Sequence, residues 1–233
     1  MAVITMTGNL ASGAREVAAL AAERLHVAYV DRELMMEASQ RCGVPVGTVA
    51  AHDERYGSLR ERLSGLFRSF LERSAASGAD PLTGATGLEV VLSKTYADMA
   101  AEEPQLSDSV YLEAMTHIIR ELAAKGDIVI VGRGSQMILA EMPHALHVLC
   151  VAPGALRAQR LAERDEIPLA EAKRRSEESE RARIAFYRKF WKVNVDNPRL
   201  YDLCIDTSRL SYETATDLIE LAVKAKAASA AGV

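Results

Sequence analysis

The chain opens with a short apolar run, AVITMT at residues 2–7, that stops on Gly8 and passes through a second glycine, Gly13, into a helical pattern. Residues 12–25 place Val17, Leu20, Ala21 and Leu25 at helical spacing, with Glu16, Glu23 and Arg24 on the other side. Residues 27–31 then form a second short apolar run that ends on Asp31. Strand, glycine turn, helix, strand is a βαβ unit. Such units build parallel sheets, because only a crossover through a helix returns the chain in the same direction.

The turn itself has the spacing G-x-x-x-x-G over residues 8–13, between a strand and a helix. Glycines there let successive N–H groups converge on an anion, and the following helix adds its positive end. A phosphate loop of this kind normally continues with Lys and then Ser or Thr. Here those places hold Ala14 and Arg15, and Ser12 and Thr7 are the nearby hydroxyls. Arg15 either restores a positive charge to the loop or is a solvent-exposed helix residue.

The remaining pattern extends the sheet after a long excursion. Residues 33–42 and 59–74 read as helices, and 77–87 as a loop rich in Gly, Asp, Pro and Thr. The sheet resumes after a helix from Asp108, a candidate N-cap, to Lys125, where Gly126 stops it. Residues 127–132 and 146–151 read as buried strands, and 203–206 as the last. A charged helical stretch over 156–187 is interrupted near Pro168, and a helix over 211–227 closes the chain. The count is five short parallel strands with crossover helices. A length of 233 residues fits one α/β domain, and an apolar share of 49% supports a real core.

Charge and cysteines narrow the function classes. A net charge of −4 argues against a nucleic-acid coating role. Basic residues cluster between Arg157 and Lys192, which suits a confined anionic ligand or a solvated helix of mixed charge. Cys42, Cys150 and Cys204 form no pair; Cys150 and Cys204 sit in apolar runs and read as small buried hydrophobes. That usage points to a reducing, cytoplasmic compartment. The start of the chain is not a signal peptide, and no apolar run is long enough for a membrane span. The histidines show no metal-ligand spacing, which argues against structural zinc.

Five segments in order resemble the cytidylate-kinase-like family. They are the glycine turn before Ala14-Arg15-Glu16; AYVDREL at 28–34; IVGRGS at 130–135; the basic run VAPGALR at 151–157 with Arg160 and Arg164; and Arg181, Phe186 and Tyr187 with DNPRLYDLCIDT at 196–207. The resemblance implies a three-layer P-loop NTPase fold with a core at 1–33, 106–155 and 186–233. It implies a helical NMP-binding excursion at 34–105 and an arginine-rich lid at 156–185. The implied reaction moves the γ-phosphoryl group of ATP onto CMP or a similar acceptor, with Mg2+. In this family the loop often lacks the lysine, so Ala14 is not a lone departure.

Site residues follow from both lines. Gly8, Ser12, Gly13, Ala14 and Arg15 would form the ATP phosphate site. Asp31 ends a strand at the edge where ligands bind in parallel sheets, and by similarity it faces the acceptor; it also suits a helix N-cap. Arg133, between two glycines after a core strand, has room for a bidentate phosphate contact, against the alternative of a structural ion pair. Arg160, Arg164 and Arg181 are the catalytic lid candidates. The resemblance puts Asp202 and Asp206 on the nucleotide side, Asp206 with the acceptor, though each is equally a turn or cap residue. Related cytidylate kinases carry a carboxylate just before Gly-Arg, where this chain has Val131, and Ser135 stands where another acid would be, so the metal ligands stay unassigned. The leading expectation is a nucleoside monophosphate kinase. A non-catalytic nucleotide-binding regulatory or interaction module is the alternative, with the apolar excursion helix open to pairing with a partner or as a homodimer. A third expectation keeps the chemistry with a non-nucleotide acceptor.

Overall fold

Apolar residues occupy successive positions of every core strand, so both faces of the sheet have to be covered. The computed structural model describes residues 2–32, 34, 64–66, 96 and 106–231. Within them β1 (Val3–Gly8), β2 (Ala28–Val30), β3 (Ile128–Val131), β4 (Ala145–Val151) and β5 (Leu203–Asp206) form one sheet. The order is β2-β3-β1-β4-β5, and every pairing is parallel.

Alternate residues feed two cores, as the two-residue period of a strand demands. Val3, Ile128 and Ile130 pack with Met115 and Ile119 of α2 (Leu106–Lys125). They share that core with Phe186 and Tyr187 of α5 (Leu169–Trp191). Ile4, Met6, Val129 and Val148 pack on the opposite face, against Val17 and Ala21 of α1 (Ala14–Leu25) and Ile219 of α6 (Tyr212–Ala231). The result is the three-layer α/β arrangement that the sequence implies. Between β3 and β4 stand α3 (Ser135–Ile138), and after β4 comes α4 (Gly154–Asp165).

Differences from the sequence pattern have local causes. Helix α1 starts at Ala14 rather than residue 12, because Gly13 is left-handed at φ 86° and still belongs to the turn. Helix α2 already covers Asp108, which is therefore not its N-cap. Pro168 does separate two helices, but α5 runs unbroken through residue 185 to Trp191. Cys150 is buried as expected; Cys204 is exposed, because β5 is an edge strand. Short elements with no readable period, α3 and the 3-10 turn Pro198–Leu200, are additions. The excursion helices, the loop at 77–87 and Cys42 lie outside the described residues, apart from helical residues 34 and 64–66. No helix among the described residues is long and apolar enough to cross a membrane.

This topology positions one region above all others. β1 is central, with β3 and β4 as its neighbours, so the glycine loop emerges between their carboxyl ends. That is where parallel sheets bind ligands.

His147 lies in the core beneath that edge. Its Nδ1 and the Thr5 hydroxyl are 2.7 Å apart, and burial holds its pKa below the ordinary value. The unfolded chain therefore binds the extra proton more readily. This contribution to stability is fully present above about pH 6.5, the unfolded value, and is lost as pH falls toward the folded pKa. Chemical denaturation followed by circular dichroism between pH 7.5 and 5 should show that loss, and His147→Gln should flatten it.

Candidate active site

A cleft of about 450 Å3 opens at the carboxyl ends of β1 and β3. Its walls carry six arginines (Arg15, Arg32, Arg133, Arg164, Arg175, Arg183) against three carboxylates (Glu16, Asp31, Glu178). Arginines thus outnumber carboxylates in the lining of a cleft on an otherwise acidic protein.

The floor of the cleft is the glycine loop. Its two glycines are required by space as well as by backbone angle. A Cβ on Gly8 would stand 2.2 Å from Ser12 Oγ and 2.5 Å from the Cys150 carbonyl oxygen. One on Gly13 would stand 2.7 Å from the Tyr212 ring. Ala11 is also left-handed, at φ 60°, and the Ser12 N–H donates to the Asn9 carbonyl at 2.9 Å. The hydroxyl of Ser12 is buried with no hydrogen-bond partner among the described residues. Gly8, Ser12, Gly13, Ala14 and Arg15 all line the cleft, as the sequence implies.

Arg15 does not simply face solvent. Its guanidinium spans from α1 to the end of β2 and meets the Asp31 carboxylate at 2.6 Å. Asp31 Oδ2 also accepts the Tyr29 hydroxyl at 3.0 Å, and Oδ1 accepts the Leu34 N–H at 3.0 Å. Asp31 thus serves as a local cap and as a cleft residue at once. Burial, then the neighbouring Asp31 charge, pushes the Tyr29 phenol pKa up, so it stays a hydrogen-bond donor.

Arg133 sits across the cleft. It is only 5% exposed, and its backbone is left-handed at φ 57°, between Gly132 and Gly134 at φ 73°. A left-handed non-glycine residue costs about 1–2 kcal/mol. The geometry turns the chain sharply off β3 while the Arg133 N–H donates to the Tyr96 hydroxyl at 3.2 Å. Gly134 has no room for a side chain, since a Cβ there would lie 2.4 Å from the Trp191 ring. Ser135, next in line, is buried with an unpartnered hydroxyl among the described residues.

The arginine-rich helices divide by face. Arg164 reaches the cleft, with Nε on Asp165 at 2.8 Å. Arg175, Ser179, Ala182 and Arg183 follow at helical spacing on the inner face of α5. Arg183 is 2% exposed and pairs through Nη2 with Asp196, while Nε and Nη1 have no hydrogen-bond partner among the described residues. Arg181, two residues earlier, is exposed and does not line the cleft. Arg160 turns to Thr207 instead, with 2.9 Å bonds to its hydroxyl and to its carbonyl. Arg157 is a buried tie between α4 and α5, bonded to Ala152 O, Ser176 Oγ and Glu180.

Asp206 lies at the far edge of the sheet from Asp31, holding a turn through the Ser208 N–H at 2.9 Å and its hydroxyl at 2.6 Å. The structure does not bring it to the cleft. Asp202 is at the amino end of β5, opposite the cleft, bonded to Lys226 and to the His147 N–H. Arg32, Arg175, Arg183 and Tyr96 are among the cleft residues that sequence reasoning missed as individual candidates. The spacing of Arg175, Ser179 and Arg183 with the buried Phe186 was the available signal for the two arginines.

Among the described residues no group of three His, Cys, Asp or Glu could hold a metal ion. Mg2+ takes most of its oxygen ligands from phosphates and water. The orphaned Ser12 hydroxyl and the Asp31 carboxylate are cleft oxygens able to supplement such a shell. The donor set fits an ion that arrives with a nucleotide, not one held by the protein alone.

A model of the cytidylate kinase-like family matches residues 3–209. The cytidylate kinase of Methanopyrus kandleri is 33% identical over 112 residues, 45% of this chain and 58% of that protein. That of Halobacterium salinarum is 25% identical over 170 residues, 72% of this chain and 85% of the relative. That of Pyrobaculum calidifontis is 30% identical over 126 residues, 54% and 63%. The chain thus spans less than two thirds of the first and third of these relatives. In fold, it is similar to an uncharacterized protein from Eubacterium ventriosum, with a TM-score of 0.63 at 15% identity, covering 96% of this chain and 99% of the other.

Arg133→Gly removes the guanidinium and relieves the left-handed backbone. Binding of inorganic pyrophosphate, measured by calorimetry, should weaken about tenfold or more, in line with the worth of hydrogen bonds to a charged group. The denaturation free energy should change far less. Equal losses of binding and folding make Arg133 a structural residue.

Proposed function

We propose that this chain, which belongs to the cytidylate kinase-like family, transfers the γ-phosphoryl group of ATP to CMP or a similar nucleoside monophosphate. The observation that carries the reading is the single cleft in which the glycine loop, Arg133 and three arginines of α4 and α5 converge.

In this reading an oxygen of the acceptor phosphate attacks the γ-phosphorus in line. The bond from γ-phosphorus to the bridging oxygen breaks, and ADP leaves. Such a reaction asks the protein for position and charge more than for covalent chemistry. The loop amides and the positive end of α1 hold the donor β-phosphate. Arg133 holds the acceptor phosphate. Arg164, Arg175 and Arg183 offset the charge on the transferring group. The lid role expected of Arg160 and Arg181 falls to Arg175 and Arg183, because those two line the cleft. Mg2+, when bound with ATP, neutralises phosphate charge. Glu180 accepts from Asn9 of the loop at 3.1 Å and from Arg157 at 2.7 Å, which ties the lid helix to the donor loop. Residues 34–105, whose Tyr96 lines the cleft, serve as the acceptor-binding excursion. Small nucleotides as partners, rather than nucleic acid, suit the net charge of −4.

Two residues favour a second reading, a nucleotide-binding module without catalysis: Ala14 at the lysine place and Val131 before Gly132. A coupled assay of ADP release across the nucleoside monophosphates separates the two. Mg2+-dependent turnover, highest with CMP, is the expected result. Calorimetric binding of nucleotide without turnover on any acceptor establishes the module.

A further inference from the structure

Among the described residues, four of the six cleft arginines are paired with carboxylates, and one pairing differs in kind. Arg164 is held by Asp165, Arg175 by Glu171 and Arg183 by Asp196, none of which lines the cleft. Arg15 is held by Asp31, which does line it. If an incoming phosphate draws Arg15 away, the carboxylate left behind is inside the site itself.

The two partners belong to different halves of the cleft. Arg15 is the second residue of α1, one place after the position where a phosphate loop normally carries its cation. Asp31 directly follows β2, on the other side of β3 from the loop. The Arg15 side chain is 44% exposed and that of Asp31 only 7%. Arg15 is therefore the partner that solvent and a ligand in the cleft can reach, whereas the carboxylate is buried in the wall. Tyr29 and the Leu34 N–H hold it in place whether or not Arg15 stays.

We propose that the Arg15–Asp31 ion pair is a charge latch that couples the two substrates. The donor polyphosphate competes with Asp31 for the Arg15 guanidinium and so supplies the loop with the cation that Ala14 does not. Asp31 Oδ2, released, accepts a hydrogen bond from a hydroxyl or amino group of the acceptor. A carboxylate this buried is destabilised when stripped of its cation unless a new donor arrives. Release of Arg15 to the donor and arrival of the acceptor therefore favour each other, and by linkage the effect is reciprocal. With neither substrate bound, the latch keeps both sites occupied by protein.

This inference rests on the two-substrate reading above, and its test separates them. The probes are CMP and a non-hydrolysable ATP analogue with Mg2+, titrated by calorimetry into the whole chain, each alone and with the other saturating. In the unaltered protein each ligand should tighten the other by about fivefold or more, the usual lower range of coupling between sites. Arg15→Gln should weaken the ATP analogue about tenfold or more while CMP alone binds as well or better, because the competitor for Asp31 is gone. The coupling should vanish. Arg15→Lys should recover part of the donor affinity. Asp31→Asn should tighten the ATP analogue and weaken CMP. A purely structural role for Arg15 lowers both affinities together in Arg15→Gln, and that result overturns the latch. Binding of both ligands without coupling in the unaltered protein also overturns the latch and leaves the kinase reading intact. Failure of both ligands to bind overturns the kinase reading and the latch with it.

Discussion

The hydroxyl of Thr207 donates to the Ser12 carbonyl at 2.7 Å, and Arg160 closes over the same threonine from α4. Thr207 directly follows β5, so the last strand of the sheet fixes the loop that follows the first. A loop whose amides must face a ligand cannot satisfy itself with regular secondary structure. It has to be held from behind. Tyr212, at the start of α6, blocks any side chain at Gly13 and lies under the Arg160 guanidinium at 5.5 Å. Residues far apart in the chain thereby set the shape of one short turn, and the cleft inherits that shape.

A second layer of charge holds the roof. Arg157 and Arg183 are both buried, yet they do different work. Arg157 has an acceptor on each of its three nitrogens and joins α4 to α5. Arg183 has Asp196 as the acceptor on Nη2, and its Nε and Nη1 are without a hydrogen-bond partner among the described residues. Leaving donors on a buried cation unsatisfied is unfavourable. Arg157 ties the frame together, whereas Arg183 lines the cleft.

The sheet was readable because its strands carry apolar residues on both faces and its glycines mark the turns. The loop, Asp31 and Arg133 were readable because position at the carboxyl end of a parallel strand is itself a signal. The cleft-facing side of α5 is less legible. In a helix as charged as α5, seven arginines or lysines compete for notice, and only the register relative to Phe186 tells which face the core takes. Arg181 and Arg183 differ by two positions, or about half a turn, and that places one in solvent and the other in the cleft. The position of Arg160 has another cause: its partner Thr207 lies 47 residues away in sequence. The span from α1 to Asp31 is likewise a tertiary fact that helical spacing alone does not reveal.

The chain has a single tryptophan, Trp191, and its ring covers Gly134 at the end of α5. Phe186, Tyr187 and Phe190 surround it within 6 Å, ring centre to ring centre. One indole thus touches both the lid helix and the glycine-flanked turn that carries Arg133. Its emission is a built-in optical gauge of the distance between roof and wall, present without any label.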